Sequence, residues 1–305
     1  MTWFKTVSTD LPISVRRWQN SRTGAFWLFV SPWLLGFFIF TLAPLLGSFY
    51  ISFSTYNIVG NPIFTGLENY REMVADPLVV KSMFNTLTYV FASVPLRIVL
   101  ALALALLLNR PMRGVGLFRT AYYMPSLIPG VTFSLVWLLM FDYRHGVLNG
   151  LLHFFHIPHV QWLTNGPAAM FGLVLLSMWS VGTSMLVFLA ALQGIPREIN
   201  EAAIIDGANS AQLLRHITIP LLSPALIFSL TMNLISGLQV FTPAYVITRG
   251  GPLNATLFYL LYLYRHAFQF LHMGYAAAMA WVLFLVTLVA TACVLYLSRR
   301  WSYEM

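Results

Sequence analysis

The sequence predicts an all-α, polytopic membrane protein, with six transmembrane helices and a cytoplasmic helix-turn-helix between the fourth and fifth. Three observations predict it. Apolar residues make up 59% of the 305 positions and charged ones only 9%, against about 25% charged in a soluble domain. The apolar residues fall in six runs, each long enough to cross ~30 Å of hydrocarbon at about 1.5 Å per residue. The remaining charges bunch between the runs, most densely in "PREINEAAIIDGANSAQLLRHITIP", Pro196 to Pro220.

Residues 1–24 form a polar leading segment, and 25–300 form one membrane domain that contains the loop 196–220. The first span, Ala25–Ile51, exceeds the apolar core of a signal peptide and no small-x-small site follows it, so it is expected to be retained. After it, "FTGLENYREMVADP" alternates at helical spacing, as a helix on the outer membrane surface would. The second span, Ser82–Leu108, turns through a tight "NRPMRG" into the third, Leu117–Met140. Spans four to six are Pro167–Leu192, Ile219–Ile247 and Met273–Leu297, and residues 301–305 form a short tail. Cys293, the single cysteine, lies inside the last run and is expected to act as a small buried hydrophobe.

Orientation follows from the basic residues. Lys5, Arg16, Arg17, Arg22, Arg110, Arg113, Arg119, Arg197, Arg215, Arg299 and Arg300 share one side, and only Arg71, Lys81, Arg144, Arg249 and Arg265 lie on the other. The positive-inside rule makes the richer side cytoplasmic, with both termini and the loop 196–220. The net charge of +8 therefore reflects membrane orientation. With no long basic face, nucleic acid is not an expected partner.

Several chemistries are missing. All nine acidic residues (Asp10, Glu68, Glu72, Asp76, Asp142, Glu198, Glu201, Asp206 and Glu304) fall outside the spans. Proton-coupled carriers keep a carboxylate or titrating His within the membrane, which disfavours a self-powered proton symporter. Sodium coupling through backbone carbonyls stays open. Neither lysine, Lys5 nor Lys81, follows a glycine, so there is no phosphate-binding Gly-Lys-Ser/Thr loop and ATP hydrolysis by this chain is not expected. HExxH and GxSxG are absent too. His153, His156 and His159 invite a metal check, but Pro158 breaks the helix before His159 and no cysteine or carboxylate is near. An outer interfacial loop is the expectation there.

The stretch from Pro196 reads as two helices. Pro196 suits a first helical position, Arg197 to Asp206 favour helix, and Gly207 supplies a stop. Asn209 or Ser210 caps a second helix bearing Leu213, Leu214 and Ile217. The first helix has an apolar side of Ile199, Ala202, Ala203 and Ile205. Either lipid or a protein groove would cover it. Lipid sets Glu198, Glu201 and Asp206 against anionic headgroups, whereas the small pair Ala202–Ala203 allows close approach to a protein.

The same stretch resembles the EAA loop of ABC-importer permeases. It has Glu201-Ala202-Ala203, three residues, Gly207, nine residues, then Ile217-Thr218-Ile219-Pro220, with Ile219 in place of the usual Leu. "FTGLENYREMVADP", "NTLTYV", "ALALALLLNRPMRGVGLFRTAYYMPSLIP" and "VITRGGPLNAT" resemble carbohydrate-uptake permeases of the maltose- or lactose-type first-subunit kind. The resemblance covers about Leu28 to Tyr296. It implies a bacterial or archaeal plasma-membrane importer of di- or oligosaccharides, with a second homologous permease, an ATPase dimer and an extracytoplasmic binding protein. ATP and Mg would sit on the ATPase and no cofactor on this chain. Glu201, Ala202, Ala203, Asp206 and Gly207 would couple to the ATPase. Importers of polyols or glycerol phosphate share these motifs, and a channel or secondary carrier is the alternative of another class.

A sugar pathway needs hydrogen-bonding groups within the membrane to replace lost water. In span five, Asn233, Ser236 and Gly237 share a face at i, i+3 and i+4, while Gln239 and Phe241 point elsewhere by that spacing. In span four, Trp179, Ser180 and Thr183 form a similar set. The family's sugar contacts come from the helices flanking the EAA loop, which favours these positions, Asn233 first. Small and polar residues also serve as interhelical packing. Arg97, the one charge well inside a span, either lines the pathway, pairs with a sister chain or snorkels. Gly250, Gly251 and Pro252 break the backbone at the outer end of span five, either at the outer mouth or as a plain turn.

Overall fold

The computed structural model describes residues 22–58, 60–110 and 112–298. Most of the leading segment and the tail, with Lys5, Arg16, Arg17, Arg299 and Arg300, lie outside the described residues. Three membrane-length helices run unbroken: α1 (Gly24–Ser52), α3 (Pro77–Leu108) and α13 (Met273–Ser298). Three further crossings are bent pairs, α4 (Val115–Tyr123, extended by a 3₁₀ turn to Leu127) with α5 (Gly130–Met140), α7 (Gly166–Trp179) with α8 (Gly182–Gln193), and α10 (Ser210–Leu221) with α11 (Ser223–Leu238). With each bent pair counted as one crossing, these give six, the expected number.

Each bend has a local cause. Pro125 and Pro129 flank the 99° break before α5. Ile128, ahead of Pro129, is forced extended (ψ 130°). Pro220 and Pro224 remove N–H donors around the 67° bend at Leu222. At the 44° bend between α7 and α8, Gly182 lets the chain touch the backbone of Tyr122 and Tyr123.

At the centre, α3 packs against α7, α8 and α11 and carries two buried clusters. Toward its N-terminal half, Tyr89, Val90 and Val94 join Leu173, Leu176 and Leu238. Toward its C-terminal end, Ala101 and Ala105, one turn apart and fully buried, admit Met185, Phe188 and Leu189 of α8. Small residues at that spacing let helices approach closely in lipid, where packing rather than water exclusion drives association. Outside this bundle, α13 packs on the second half of α1 and on α11. Cys293 on α13 is exposed, not buried; within a bilayer an apolar setting needs no protein around it.

The connections after crossings one, three and five are more structured than their composition suggests. The amphipathic stretch forms α2 (Glu68–Ala75) behind a two-residue hairpin, β1 (Ser54–Thr55) paired antiparallel with β2 (Ile63–Phe64). Asn69 Nδ2 donates to the carbonyls of Ser52 (2.9 Å) and Ser54 (3.0 Å) and ties the two together. Between crossings three and four, α6 (Val147–Phe154) holds Asn149, only 1% exposed. Its amide donates to Tyr143 O and Val160 O and accepts from Val160 N and Trp162 Nε1, all at 3.0–3.1 Å. Backbone N–H groups of His145 and Arg144 hold the exposed Asp142 carboxyl below its ordinary range. The connection after crossing five turns back into the core, with Leu257, Phe258 and Tyr259 completely buried before α12 (Tyr259–Tyr264). Asn85 Nδ2 donates to Asn254 O (2.8 Å) and Leu257 O (3.1 Å), and Tyr259 N–H donates to Thr86 Oγ1 (2.9 Å). The "NTLTYV" stretch thus clasps "GGPLNAT".

Candidate functional site: a projecting loop and a broken-helix cavity

The polar stretch forms α9 (Arg197–Ile205) followed by α10. Pro196 (φ −56°, ψ 135°) stands just outside α9 as its cap, one position earlier than expected. Gly207 is left-handed (φ 85°) and donates to Ile204 O, while Ala208 N–H donates to Ala203 O. This 5→2 and 6→1 pair is a Schellman stop. Asn209 then caps α10 reciprocally: Gln212 N–H donates to Asn209 Oδ1 and Asn209 N–H to Gln212 Oε1, both at 2.9 Å. Two helices are thereby joined by a connection with little freedom. No residue of α9 is buried, and Ile205 is 85% exposed. Glu201, Ala202, Asp206 and Gly207 are exposed and Ala203 half-buried. A stiff helix with an uncovered apolar side projects from the bundle.

A cavity of ≈ 330 Å³ lies where α3 meets the breaks of three crossings. Tyr89 and Arg97 come from α3, Ser126 and Phe133 from either side of the α4–α5 break, and Ser177 and Ser180 from the end of α7. Span five contributes Ser236, Gln239, Phe241 and Thr242. Here α11 stops at Leu238, Gln239 and Val240 leave helical geometry, and Pro243 precedes a π-helical turn, Ala244–Thr248. Irregular backbone at membrane depth is tolerated only where protein or a polar cavity receives it. Arg97 lies eleven residues from the Leu108 end of α3, about 16 Å at helical rise, well inside that apolar helix. Hydroxyls, an amide, a guanidinium and aromatic rings line the cavity, groups able to hydrogen-bond to and stack on a polar solute, with no carboxylate in the lining. Among the described residues no group of three His, Cys, Asp or Glu is placed to hold a metal. The rings of His153 and His159 stand 5.7 Å apart beside Tyr143.

The model of binding-protein-dependent transport system inner membrane components matches residues 79–303. The chain belongs to this family. A probable ABC transporter permease, YesP of Bacillus subtilis, is 42% identical over 280 residues, covering 90% of each chain. The arabinooligosaccharides transport system permease AraP of the same organism is 34% identical, covering 93% of this chain and 91% of its own length. Among solved structures, a chain of a bacterial alginate ABC transporter bound to its pentasaccharide-loaded periplasmic protein superposes with TM-score 0.81. That match covers 93% of this chain and 98% of the other at 23% identity, a likeness of fold. The protein is thus a multi-pass permease subunit of a transport system.

In this permease the residues singled out for a pathway are separated. Arg97, Ser180 and Ser236 meet in the cavity. Trp179 lies in a neighbouring apolar cleft with Leu100, Leu104 and Tyr122, and meets Trp137 edge-on. Thr183 is exposed on α8, outside the cavity. Asn233, 4% exposed, donates to Ser184 Oγ (3.0 Å) and Ser229 O (2.7 Å), which fastens α11 to α8. Gly237 packs on α3, where an added Cβ would sit 3.1 Å from Val90 Cγ2. Gln239 and Phe241 line the cavity after all, because helical spacing ceases to apply past Leu238. Ser126, Ser177 and Tyr89 were not anticipated; the paired prolines of "MPSLIP" around Ser126 were the available signal of a broken span. Asn233→Ala should lower stability by about 1–3 kcal/mol, the scale of a lost buried hydrogen bond with an orphaned partner. Substrate affinity should hold. A thermal denaturation series beside a binding titration checks both.

Proposed function

We propose that this permease is one of two membrane subunits of an ATP-driven, binding-protein-dependent importer of di- or oligosaccharides. The carrying observation is the cavity where three broken crossings converge on α3 and present hydroxyl, amide and aromatic groups. A polar solute entering there exchanges hydrogen bonds with water for hydrogen bonds with protein. The arabinooligosaccharide transport relative, at 34% identity, supports a saccharide as cargo.

In this reading the chain forms half of the pathway and a second homologous permease the other half. An ATPase dimer holds ATP and Mg and grips α9 through Glu201, Ala202, Ala203, Asp206 and Gly207. Closure of that dimer moves α9 as a lever, and the bends at Leu222 and at Gly182 give the attached crossings places to pivot. An extracytoplasmic protein delivers the sugar to the outer mouth. The subunit resides in the plasma membrane of a bacterium or archaeon, with both termini and the loop 196–220 cytoplasmic.

The test is uptake into proteoliposomes holding both permeases and the ATPase, with binding protein on one face and ATP on the other. Labelled saccharide should accumulate only with ATP and binding protein present. Accumulation driven by an ion gradient without ATP would overturn the assignment in favour of a secondary carrier. ATP-dependent uptake of a polyol or glycerol phosphate in place of any sugar would retain the importer and replace its cargo.

A further inference from the structure

The cavity lining holds one formal charge, Arg97, and no described carboxylate pairs with it. Among the described residues no hydrogen bond or ion pair reaches the Arg97 guanidinium, and its Nε is buried without a partner. The one carboxylate ion pair among them joins His145 to Asp142, between α5 and α6. Arginine stays charged at any physiological pH, and a charge in a low-dielectric site without a counter-charge is costly. None of the described carboxylates supplies the acidic partner that Arg97 calls for.

A second cavity, ≈ 590 Å³, lies beside α5 and includes Tyr245, Arg249, Arg265 and Gln269 in its lining. Arg265 Nη2 donates to Arg249 O (2.8 Å), which fixes the guanidinium in place. Neither arginine has a carboxylate partner among the described residues. The two cavities are linked by aromatic rings. Phe241 of the first stacks on Tyr245 of the second, with centroids 5.2 Å apart and planes at 17°. Tyr264 completes the trio, 5.0 Å from Phe241 and 5.3 Å from Tyr245. Along this line two arginines stand at the start, three aromatic rings in the middle and a third arginine at the end.

We propose that the saccharide carried by this permease is anionic: a uronate whose carboxylate passes Arg249 and Arg265 and is held by Arg97. This rests on the sugar-importer reading above. A guanidinium presents parallel N–H donors that match both oxygens of a carboxylate. The ring trio offers flat apolar surface to the sugar between the cationic stations. A neutral sugar of the same size would leave Arg97 uncompensated, so the preference should be large.

The experiment uses the complete reconstituted transporter with its binding protein, and two probes: digalacturonate and the neutral disaccharide galactobiose. Calorimetry first establishes which probe the binding protein takes, and uptake is then compared at saturation. Digalacturonate should be imported at least tenfold faster than galactobiose. Arg97→Gln should lower digalacturonate uptake tenfold or more, and Arg97→Lys, which keeps the charge, should retain more of it. Import of galactobiose at an equal or higher rate overturns the proposal while leaving the sugar-importer reading intact. A binding protein that takes galactobiose and refuses digalacturonate does the same. If Arg97→Gln stops the two permeases from copurifying, Arg97 pairs with the sister chain and the proposal falls. If ATP-dependent uptake is seen only for a solute that is not a sugar, the cargo reading and the proposal fail together.

Discussion

Gly207→Pro should reduce ATP-driven uptake at least a hundredfold in a permease that still inserts and still pairs with its sister subunit. Gly207 sits at φ 85°, a region closed to proline, whose ring holds φ near −65°. Proline also removes the N–H that closes on Ile204 O, half of the stop that sets where α9 ends. With that stop gone, α9 loses its fixed angle to α10, and movement at α9 no longer reaches the crossing that follows. Gly207→Ala separates geometry from bulk. A Cβ there would meet nothing within 4 Å, so alanine bears only the left-handed penalty, about 1–2 kcal/mol, and should keep partial uptake. Glu201→Lys is the companion change. The Glu201 side chain is exposed and makes no hydrogen bond or ion pair with any described residue, so reversing its charge should leave folding intact and weaken retention of the ATPase in copurification. Wild-type uptake and ATPase retention by both Gly207→Pro and Glu201→Lys, at equal membrane abundance, would remove α9 from the coupling path.

The parts that were legible in the sequence share a physical basis. Six crossings could be read because membrane length and apolarity are local properties. The stop at Gly207 and the cap at Asn209 could be read because capping depends on residues within one turn of each other. The cavity could not, since its composition depends on where helices fail. Asn233, Ser236 and Gly237 do share a face, but what that face meets changes along its length: α8 at Asn233, the cavity at Ser236, α3 at Gly237. Three residues later α11 has ended, and helical spacing sent Gln239 and Phe241 the wrong way. The buried stretch Leu257–Tyr259 is another case. It follows glycine, proline and asparagine and reads as an outer loop until Asn85 and Thr86, some 170 positions earlier, are seen to hold it.

Gly182→Val should lower both the melting temperature of the solubilised permease pair and its substrate-stimulated ATPase activity, with Gly182→Ala affected in the same direction to a smaller extent. A Cβ at this position would lie 2.5 Å from Tyr122 O, 2.7 Å from Tyr123 Cα and 3.0 Å from Ser126 Oγ. Two of these three neighbours are backbone, so no rotamer change relieves the contact, and α4 must move away from α8. Overpacking a tight site costs about 1–3 kcal/mol, and the second branch of valine adds to what alanine already incurs. The displacement also has a direction. Ser126 stands on the segment pushed outward and Ser180 stands at the bend itself, and both line the cavity. Widening that contact separates two hydrogen-bonding groups of the proposed solute site, so affinity should fall along with stability. A variant of Asn149, on α6, provides the contrast: it is buried and absent from the cavity lining, and its loss should cost stability without the same fall in affinity. If Gly182→Val melts and transports as the wild type does, the close approach of α4 to α8 does not shape this pathway.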